Sequence, residues 1–544
     1  MSDLAIVIPA VKKNVAFSDD LVKKLAGISL IQRSISTAKL AFPTQQVHVV
    51  TDSEEIRLIC KRNAVTCIYD KALCLDSDNL LGSLFPHLDF LLNQSRDILL
   101  LSPYAPLIRA EELQCAYRKY QDSGSEIMIP IYSTKSRRFE SSPRSLNRFM
   151  HDGLGCDIVN ESHAFLILRT SLLQQSSEYT IASSVYPLMD NFMEIRNYQD
   201  WWLCEKLINR RRIIFRVIGN KDIGMGHIFR SLALAHEITD HEIRFVCDSE
   251  SEIAAAKLAG YDYWLGVYPK HSIEDAILDL QPDLVVNDTL NTEANYIRRL
   301  KKNGIRVVNF EDLGSGATEA DLTINDLYDD PIIQGDNILW GRKWFIVRDE
   351  FTDARPRKFR LSVKRLLIAF GGTDPSNYTR LVLKSILEYC ADKAIDIDVI
   401  TGEGYGHIPE LKALIAATEK PMIRYTHATG VMSHLMEQAD LAICSNGRTV
   451  YELAHMNVPA IVLSHHEREK THQYACEANG FIPLGLYRDD AARGKLLEVL
   501  RQLVEGSDCR RKLFDSMKGA NFTWNKRCLA KKIQTLLDME EETI

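Results

Sequence analysis

Short apolar runs recur along this chain, each followed by an amphipathic stretch. That alternation restricts the fold more than any other feature, because buried strands separated by helical crossovers build parallel sheets. The runs are Ala5–Pro9, Val47–Val50, Asp97–Leu101, Ile127–Ile131, Ile213–Val217, Ile243–Cys247, Leu284–Val286 and Val307–Phe310, then Arg365–Phe370, Ile397–Ile400, Leu441–Cys444 and Ala460–Leu463. The densest apolar stretch, 98–108, is broken by Ser102, Pro103 and Pro106. No run approaches the ~18 apolar residues a membrane-spanning helix needs. At about 150 residues per domain, 544 residues make roughly three or four domains.

Two boundaries stand out. Arg210-Arg211-Arg212 follows a helical stretch and precedes a fresh strand–loop–helix unit, and 341–364 is rich in Arg, Lys and Asp. The spacing predicts three domains, 1–209, 210–345 and 346–544. With 66 Lys plus Arg against 73 Asp plus Glu, the net charge is −7, a poor match to nucleic acid or an anionic membrane. The twelve cysteines form no CxxC pair, which argues against zinc and redox motifs and suits a reducing cytoplasm. The segment after Met1 lacks the charge order of a secretory signal, so a cytoplasmic location is expected.

Three segments carry the chemistry. Phe215–Arg230 runs from a strand into a turn with Gly224 and Gly226, and a helix begins around His227. Glycines let backbone approach a ligand, the helix N-terminus favours an anion, and a histidine there can act as a base. Gly371, Gly372 and Thr373, with Asp374-Pro375-Ser376-Asn377, follow the strand 365–370, and their backbone can wrap an anion or simply make a capped turn. Ser445, Asn446, Gly447 and Thr449 repeat the arrangement, with Glu452 placed to accept hydrogen bonds from a ribose diol or to complement the helix dipole. Downstream lie His465, His466, His472 and Gln473, read as a polar substrate loop and not as a metal site.

Together these segments describe an α/β chain with a two-lobed GT-B fold and its ligand between the lobes. They resemble the UDP-sugar hydrolase of pseudaminic acid biosynthesis, a relative of the GlcNAc transferase of peptidoglycan synthesis. The resemblance covers most of 213–500. It implies His227 as the group activating water, and places Gly371, Gly372, Ser445, Asn446, Gly447 and Glu452 around UDP. Asp288 falls where that family has Asp-His-Tyr, here Asn287-Asp288-Thr289, and Ile218 replaces a family Asp. Hydrolysis against transfer stays open on that ground.

Residues 1–209 resemble the CMP-sialic acid synthetases, through Ile6–Ala10, Leu25–Ile31, Val49–Ile56, Leu101–Leu113 and Asn197–Glu205. The resemblance implies a nucleotidyltransferase-like Rossmann domain that joins a nonulosonic acid to CTP with Mg²⁺. Its chemistry-bearing positions differ. The phosphate loop is Val11-Lys12-Lys13-Asn14 without glycine, Arg109 is displaced by one, and Arg196 stands at the expected metal-binding Asp. Lys12, Lys13, Asp52 and Arg109 are the candidates here, and Mg²⁺ is expected only if this domain is active.

The resulting expectation is a fusion protein of nonulosonic acid biosynthesis. Its C-terminal part would hydrolyse a UDP-linked amino sugar, and its N-terminal part would take CTP and a nonulosonic acid. The alternatives are a UDP-sugar-dependent glycosyltransferase of surface polysaccharide and a sugar-nucleotide binding protein with inactive sites. A homo-oligomer is left open.

Overall fold

The computed structural model describes residues 2–12, 19–75, 80–135, 139–142, 145–148, 157–174, 182–188, 192–220, 223–419, 422–487 and 490–538. The chain divides into two compact units, Met1–Arg210 and Arg211–Ile544.

The first unit is built on one mixed sheet. Its parallel half places Ser2–Pro9 between Val47–Thr51 and Ser95–Leu101, with Thr66–Tyr69 outside Val47–Thr51. Val47–Thr51 is buried throughout, as a parallel strand covered on both faces must be. The other half departs from the parallel expectation. Phe165–Arg169 runs antiparallel to both Ser95–Leu101 and Ile127–Lys135, and Asp157–Glu161 is antiparallel to Ile127–Lys135. Helices flank the parallel half and start on side-chain caps. Ser29 accepts from the Gln32 N–H, and Ser53 accepts from the Ile56 N–H. The domain is thus an open Rossmann-like α/β sheet with an antiparallel extension.

The second unit holds two all-parallel sheets. In the first lobe the strand order is Trp264–Tyr268, Glu242–Asp248, Arg212–Val217, Leu284–Asp288, Arg306–Phe310, Leu322–Asn325 and Ile338–Trp340. In the second lobe it is Ile423–His427, Asp396–Thr401, Arg365–Ala369, Leu441–Ser445, Ala460–Ser464 and Phe481–Leu486. In each sheet the strand order reverses beside the lobe's opening strand. In the first lobe that crevice lies between Arg212–Val217 and Leu284–Asp288, and in the second between Arg365–Ala369 and Leu441–Ser445. Such a point, at the carboxyl ends of the strands, is where open α/β sheets take ligands. Every glycine-bearing turn singled out from the sequence leaves a strand at one of these two crevices. This is the two-lobed GT-B arrangement.

The chain ends by crossing back. On the final helix, Asn525–Asp538, Leu529, Ala530 and Ile533 are buried in the core of the first lobe with Phe215, Leu234 and Ile238. Residues 346–544 therefore build the second lobe and also supply one helix to the first. Leu529 is fully buried, so Leu529→Ala is expected to cost about 2–5 kcal/mol by lost transfer energy and a residual cavity. Urea unfolding followed at the first lobe measures it, and a change below ~0.5 kcal/mol would mean that this helix does not hold the lobe.

Candidate functional site

Asp288 ends the strand Leu284–Asp288 and is fully buried. Three side chains of the helix Gly226–Glu237 converge on it from positions i, i+3 and i+4, which share one helix face. His227 Nδ1 lies 2.5 Å from Oδ1, Arg230 Nε donates to Oδ2 at 2.9 Å, and the Ser231 hydroxyl donates to Oδ2 at 3.1 Å. A second Arg230 nitrogen, Nη2, donates to Oδ1. Burial pushes the Asp288 carboxyl up, but Arg230 and His227 overcome it and hold Asp288 well below the usual carboxylate range. An ionised carboxylate only accepts, so the Nδ1–H of His227 points at Asp288. In the neutral ring, Nε2 then carries the lone pair, and His227 lines the cleft between the lobes.

The same arginine ties the lobes together. Arg230 Nη1 donates to Glu311 at 2.5 Å and to Asp326 at 3.2 Å. Asp326 in turn accepts at 2.9 Å from Arg448, the first residue of the second-lobe helix Arg448–His455. Burial pushes Glu311 up, and Arg230, His227 and Arg448 pull it down to about 2. The close approach leaves no room for side chains on the facing glycines. A Cβ on Gly226 would sit 3.1 Å from Arg448 Cδ, and one on Gly372 would sit 3.0 Å from Met225 Cγ. Gly224 and Gly371 adopt φ of +86° and +81°, which only glycine takes without strain.

The cleft so formed has a volume of about 600 Å³. Gly224, Gly226, His227, Gly371, Gly372, Thr373, Ser445, Gly447, Thr449 and Glu452 all line it. The helix Arg448–His455 has no side-chain cap, and among the described residues no group accepts from the N–H of Gly447, Arg448 or Thr449. All three residues line the cleft, as the first turn of an uncapped helix. Asp374, which also lines the cleft, accepts from the N–H of Tyr378 and Thr379 at 2.8 and 2.7 Å and so caps the following helix.

Not every expected residue meets the cleft in the same way. Asn446 does not line the cleft. Its amide donates to the Glu469 and His472 carbonyls at 2.7 and 3.2 Å, which makes it the fastener of the 465–472 loop. Gln473 is exposed and outside the cleft lining. Asp288 meets no ligand space of its own and acts on the cleft through His227. Glu452 lines the cleft but shares a 2.8 Å ion pair with Arg348. Arg230, Glu311, Asp326, Arg348 and Arg448 were not singled out from the sequence. The signals were the i, i+3, i+4 run His227-Arg230-Ser231 and the polar residues closing consecutive strands, Asn287-Asp288, Asn309 and Asn325-Asp326.

In the first unit the candidates stay apart or closed. Lys12 Nζ pairs with Asp19 at 2.9 Å and Glu55 at 3.2 Å, and Asp52 accepts the Lys12 backbone N–H at 2.7 Å. Arg109 is exposed at the start of the helix Ala110–Ser123, and Lys13 lies outside the described residues. The Mg²⁺ implied by the resemblance does not fit. Arg196 takes the place of a ligand and pairs with Glu194 at 2.6 Å, while Asp200 accepts the Arg196 N–H at 2.8 Å. Among the described residues no group of three or more His, Cys, Asp and Glu could hold a metal ion. No helix among them is long and apolar enough to cross a membrane.

No protein-family model matches this chain. It is 27% identical over 269 residues to MJ1062, an uncharacterised protein of Methanocaldococcus jannaschii, covering 46% of this chain and 55% of that protein, so the chain spans about half the length of that relative. It is 27% identical over 282 residues to the spore coat polysaccharide biosynthesis protein SpsG of Bacillus subtilis, covering 49% of this chain and 82% of SpsG. Similar solved folds include the calicheamicin glycosyltransferase CalG4 (14% identity, TM-score 0.44, 61% of this chain and 99% of that one). Another is a Listeria monocytogenes protein described as a UDP-N-acetylglucosamine 2-epimerase (11%, 0.41, 62% and 98%). A third is a CMP:2-keto-3-deoxy-manno-octonic acid synthetase complexed with CTP (13%, 0.31, 38% and 98%). The expectation of a UDP-sugar hydrolase is corrected: the relative with a described role, SpsG, carries a polysaccharide-biosynthesis name and not that of a hydrolase.

One cleft group reports on its surroundings through pH. Burial raises Glu469 from 4.5 to about 7, although it accepts the His465 N–H at 2.7 Å. A carboxyl raised on folding binds its proton more tightly in the native state. Its contribution is complete below pH 4.5 and is lost as pH rises through 7. Glu469→Gln keeps an acceptor for His465 and has no charge to bury. The variant is expected to melt a few degrees above the parent at pH 8, with the gap closing towards pH 4.5. A gap that stays constant with pH would show that Glu469 is not held protonated.

Proposed function

We propose that residues 210–544 transfer a sugar from a UDP-sugar to an acceptor hydroxyl in polysaccharide biosynthesis, with 210–345 and 346–544 as the two halves of the transferase. The observation that carries this reading is the His227–Asp288 pair, which faces the uncapped helix N-terminus at Gly447–Thr449 across one cleft. The diphosphate fits the N–H groups of Gly447, Arg448 and Thr449 beside the turn Gly371–Thr373. Ser445 lies within reach of the same group, and Glu452 fits the ribose diol.

The chemistry follows from that placement. His227 Nε2 takes the proton of the acceptor hydroxyl as its oxygen bonds to the sugar C1. The bond from C1 to the β-phosphate oxygen breaks, and its electron pair leaves with UDP. Charge gathering on the departing phosphate meets the helix N-terminus, whose dipoles are already oriented. Asp288 keeps the imidazole turned the right way and stabilises its protonated form. A UDP-linked amino sugar of the 2,4-diacetamido-2,4,6-trideoxyhexose type is the sugar class to test first, since residues 1–209 resemble enzymes of the nonulosonic acids, whose synthesis draws on amino sugars.

The first unit we read as a nucleotidyltransferase-like module without cytidylyl transfer. The Arg196–Glu194 pair at the expected metal position supports this, because transfer requires triphosphate and metal to be positioned together.

His227→Ala is expected to lower the transfer rate by ~10²–10⁴ while UDP still binds. Mass spectrometry of UDP release from candidate UDP-sugars, with and without candidate acceptors, checks both reading and residue. Release that does not depend on acceptor, or a variant within a few-fold of the parent, would overturn them. The full chain with CTP, Mg²⁺ and nonulosonic acids is expected to release no pyrophosphate. Stoichiometric CMP-sugar formation would reverse the reading of the first unit.

A further inference from the structure

Arg348 lies on the connection between the two lobes, just before the turn Asp349–Phe351. Its guanidinium is held by two carboxylates. Nε donates to Glu452 Oε1 at 2.8 Å, and Nη1 pairs with Glu350 at 2.9 Å. It also lies near two aromatic rings, with Cζ 5.2 Å from the centre of Phe229 and 5.3 Å from that of Phe351. Glu350 is held in turn, since it accepts the Ser433 N–H at 3.0 Å. Burial lowers the Arg348 pKa, but Glu452 and Glu350 outweigh it, so the group is a fixed cation.

Two of these partners come from opposite lobes. Phe229 stands two residues after His227 on the same helix. Glu452 stands one turn after Arg448 on the helix whose N-terminus opens into the cleft. Only one Glu452 oxygen is engaged by Arg348, and among the described residues no hydrogen bond is found on the other. Both glutamates and the arginine line the cleft.

We propose that Arg348 is a positioning residue for nucleotide recognition: by holding Glu452 Oε1 it aims the second carboxylate oxygen at the ribose diol, and by packing on Phe229 it fixes that carboxylate relative to the helix of His227. This rests on the reading of the cleft as a UDP-sugar site. A flexible carboxylate would spend part of its hydrogen-bond energy on being ordered. Arg348 removes that cost before the nucleotide arrives, and its planar fork does so in a way an ammonium cannot.

The test is calorimetric titration of the full chain with UDP and with 2′-deoxy-UDP. The parent is expected to prefer UDP by about ten- to hundredfold, the scale of a hydrogen bond to a charged group. Arg348→Met keeps an unbranched chain beside the two rings but has no charge or fork. It is expected to bring the preference to near unity with 2′-deoxy-UDP affinity unchanged. Arg348→Lys should keep a partial preference, and it serves as the measure should the methionine variant fail to fold. In Glu452→Gln the preference should already be small, and adding Arg348→Met should change it little further. A methionine variant that retains the parental preference, or weakens both nucleotides equally, would overturn the proposal, the second result marking Arg348 as a phosphate contact or a packing element. A parent that binds UDP without any ribose preference would overturn the positioning role while leaving the UDP site standing. A parent that binds neither nucleotide would overturn the underlying reading as well, and it would be seen before any substitution is made.

Discussion

A single buried carboxylate organises the site. Asp288 has no exposure and receives donors from His227, Arg230 and Ser231, all on the helix Gly226–Glu237. An unpaired charge so deep would cost several kcal/mol, so the strand end and the helix face are committed to each other. The consequence for chemistry is directional. The imidazole cannot turn without leaving Asp288 short of a donor, so the cleft-facing nitrogen is fixed by the same contacts that fix the helix. Arg230 extends the constraint outward, since it is buried among Asp288, Glu311 and Asp326 and its movement would take one cation from all three carboxylates.

The second lobe is bound into that network at Arg448. Its guanidinium reaches Asp326 and the Ile346 carbonyl and stacks 4.3 Å from the centre of Phe345. Phe345 in turn stacks on Tyr451 with ring centres 4.2 Å apart. Arg448 is also the residue at the open helix N-terminus. The first turn of that helix, which lines the cleft, is therefore held in register with His227 by a side chain of the same helix. A change of lobe spacing would disturb both halves of the site at once.

Much of this was legible in the sequence, and the remainder has physical reasons. The strands that sequence periodicity exposed are those buried on both faces, such as Leu284–Asp288 and Ala460–Ser464. Those it passed over include edge strands that are half exposed, such as Trp264–Tyr268 and Ile423–His427, where apolar content is diluted. Phe165–Arg169 is apolar and central, yet its antiparallel course comes from long-range pairing that no local pattern encodes. Glycine turns and His227 were visible because backbone geometry demands their residue types. Arg348 was not, because its role exists only once residues from two lobes meet. Asn446 and Gln473 misled for the complementary reason. They sit in motifs whose neighbours face the cleft, but Asn446 is spent on loop carbonyls and Gln473 turns to solvent.

The first unit separates two requirements that are easily confused. Lys12 is paired with Asp19 and Glu55, but these are surface contacts, Asp19 being 66% exposed, and a triphosphate could displace them cheaply. The lysine is thus no barrier to phosphate binding. The metal half differs in kind. A divalent cation needs carboxylate oxygens that are not already neutralised. Glu194 is held by the guanidinium of Arg196, and Asp200 is engaged by the Arg196 N–H at a helix start. A cation entering there would have to displace a permanent positive charge that sits where a ligand should be. At these residues electrostatics therefore opposes a divalent cation more strongly than it opposes a phosphate.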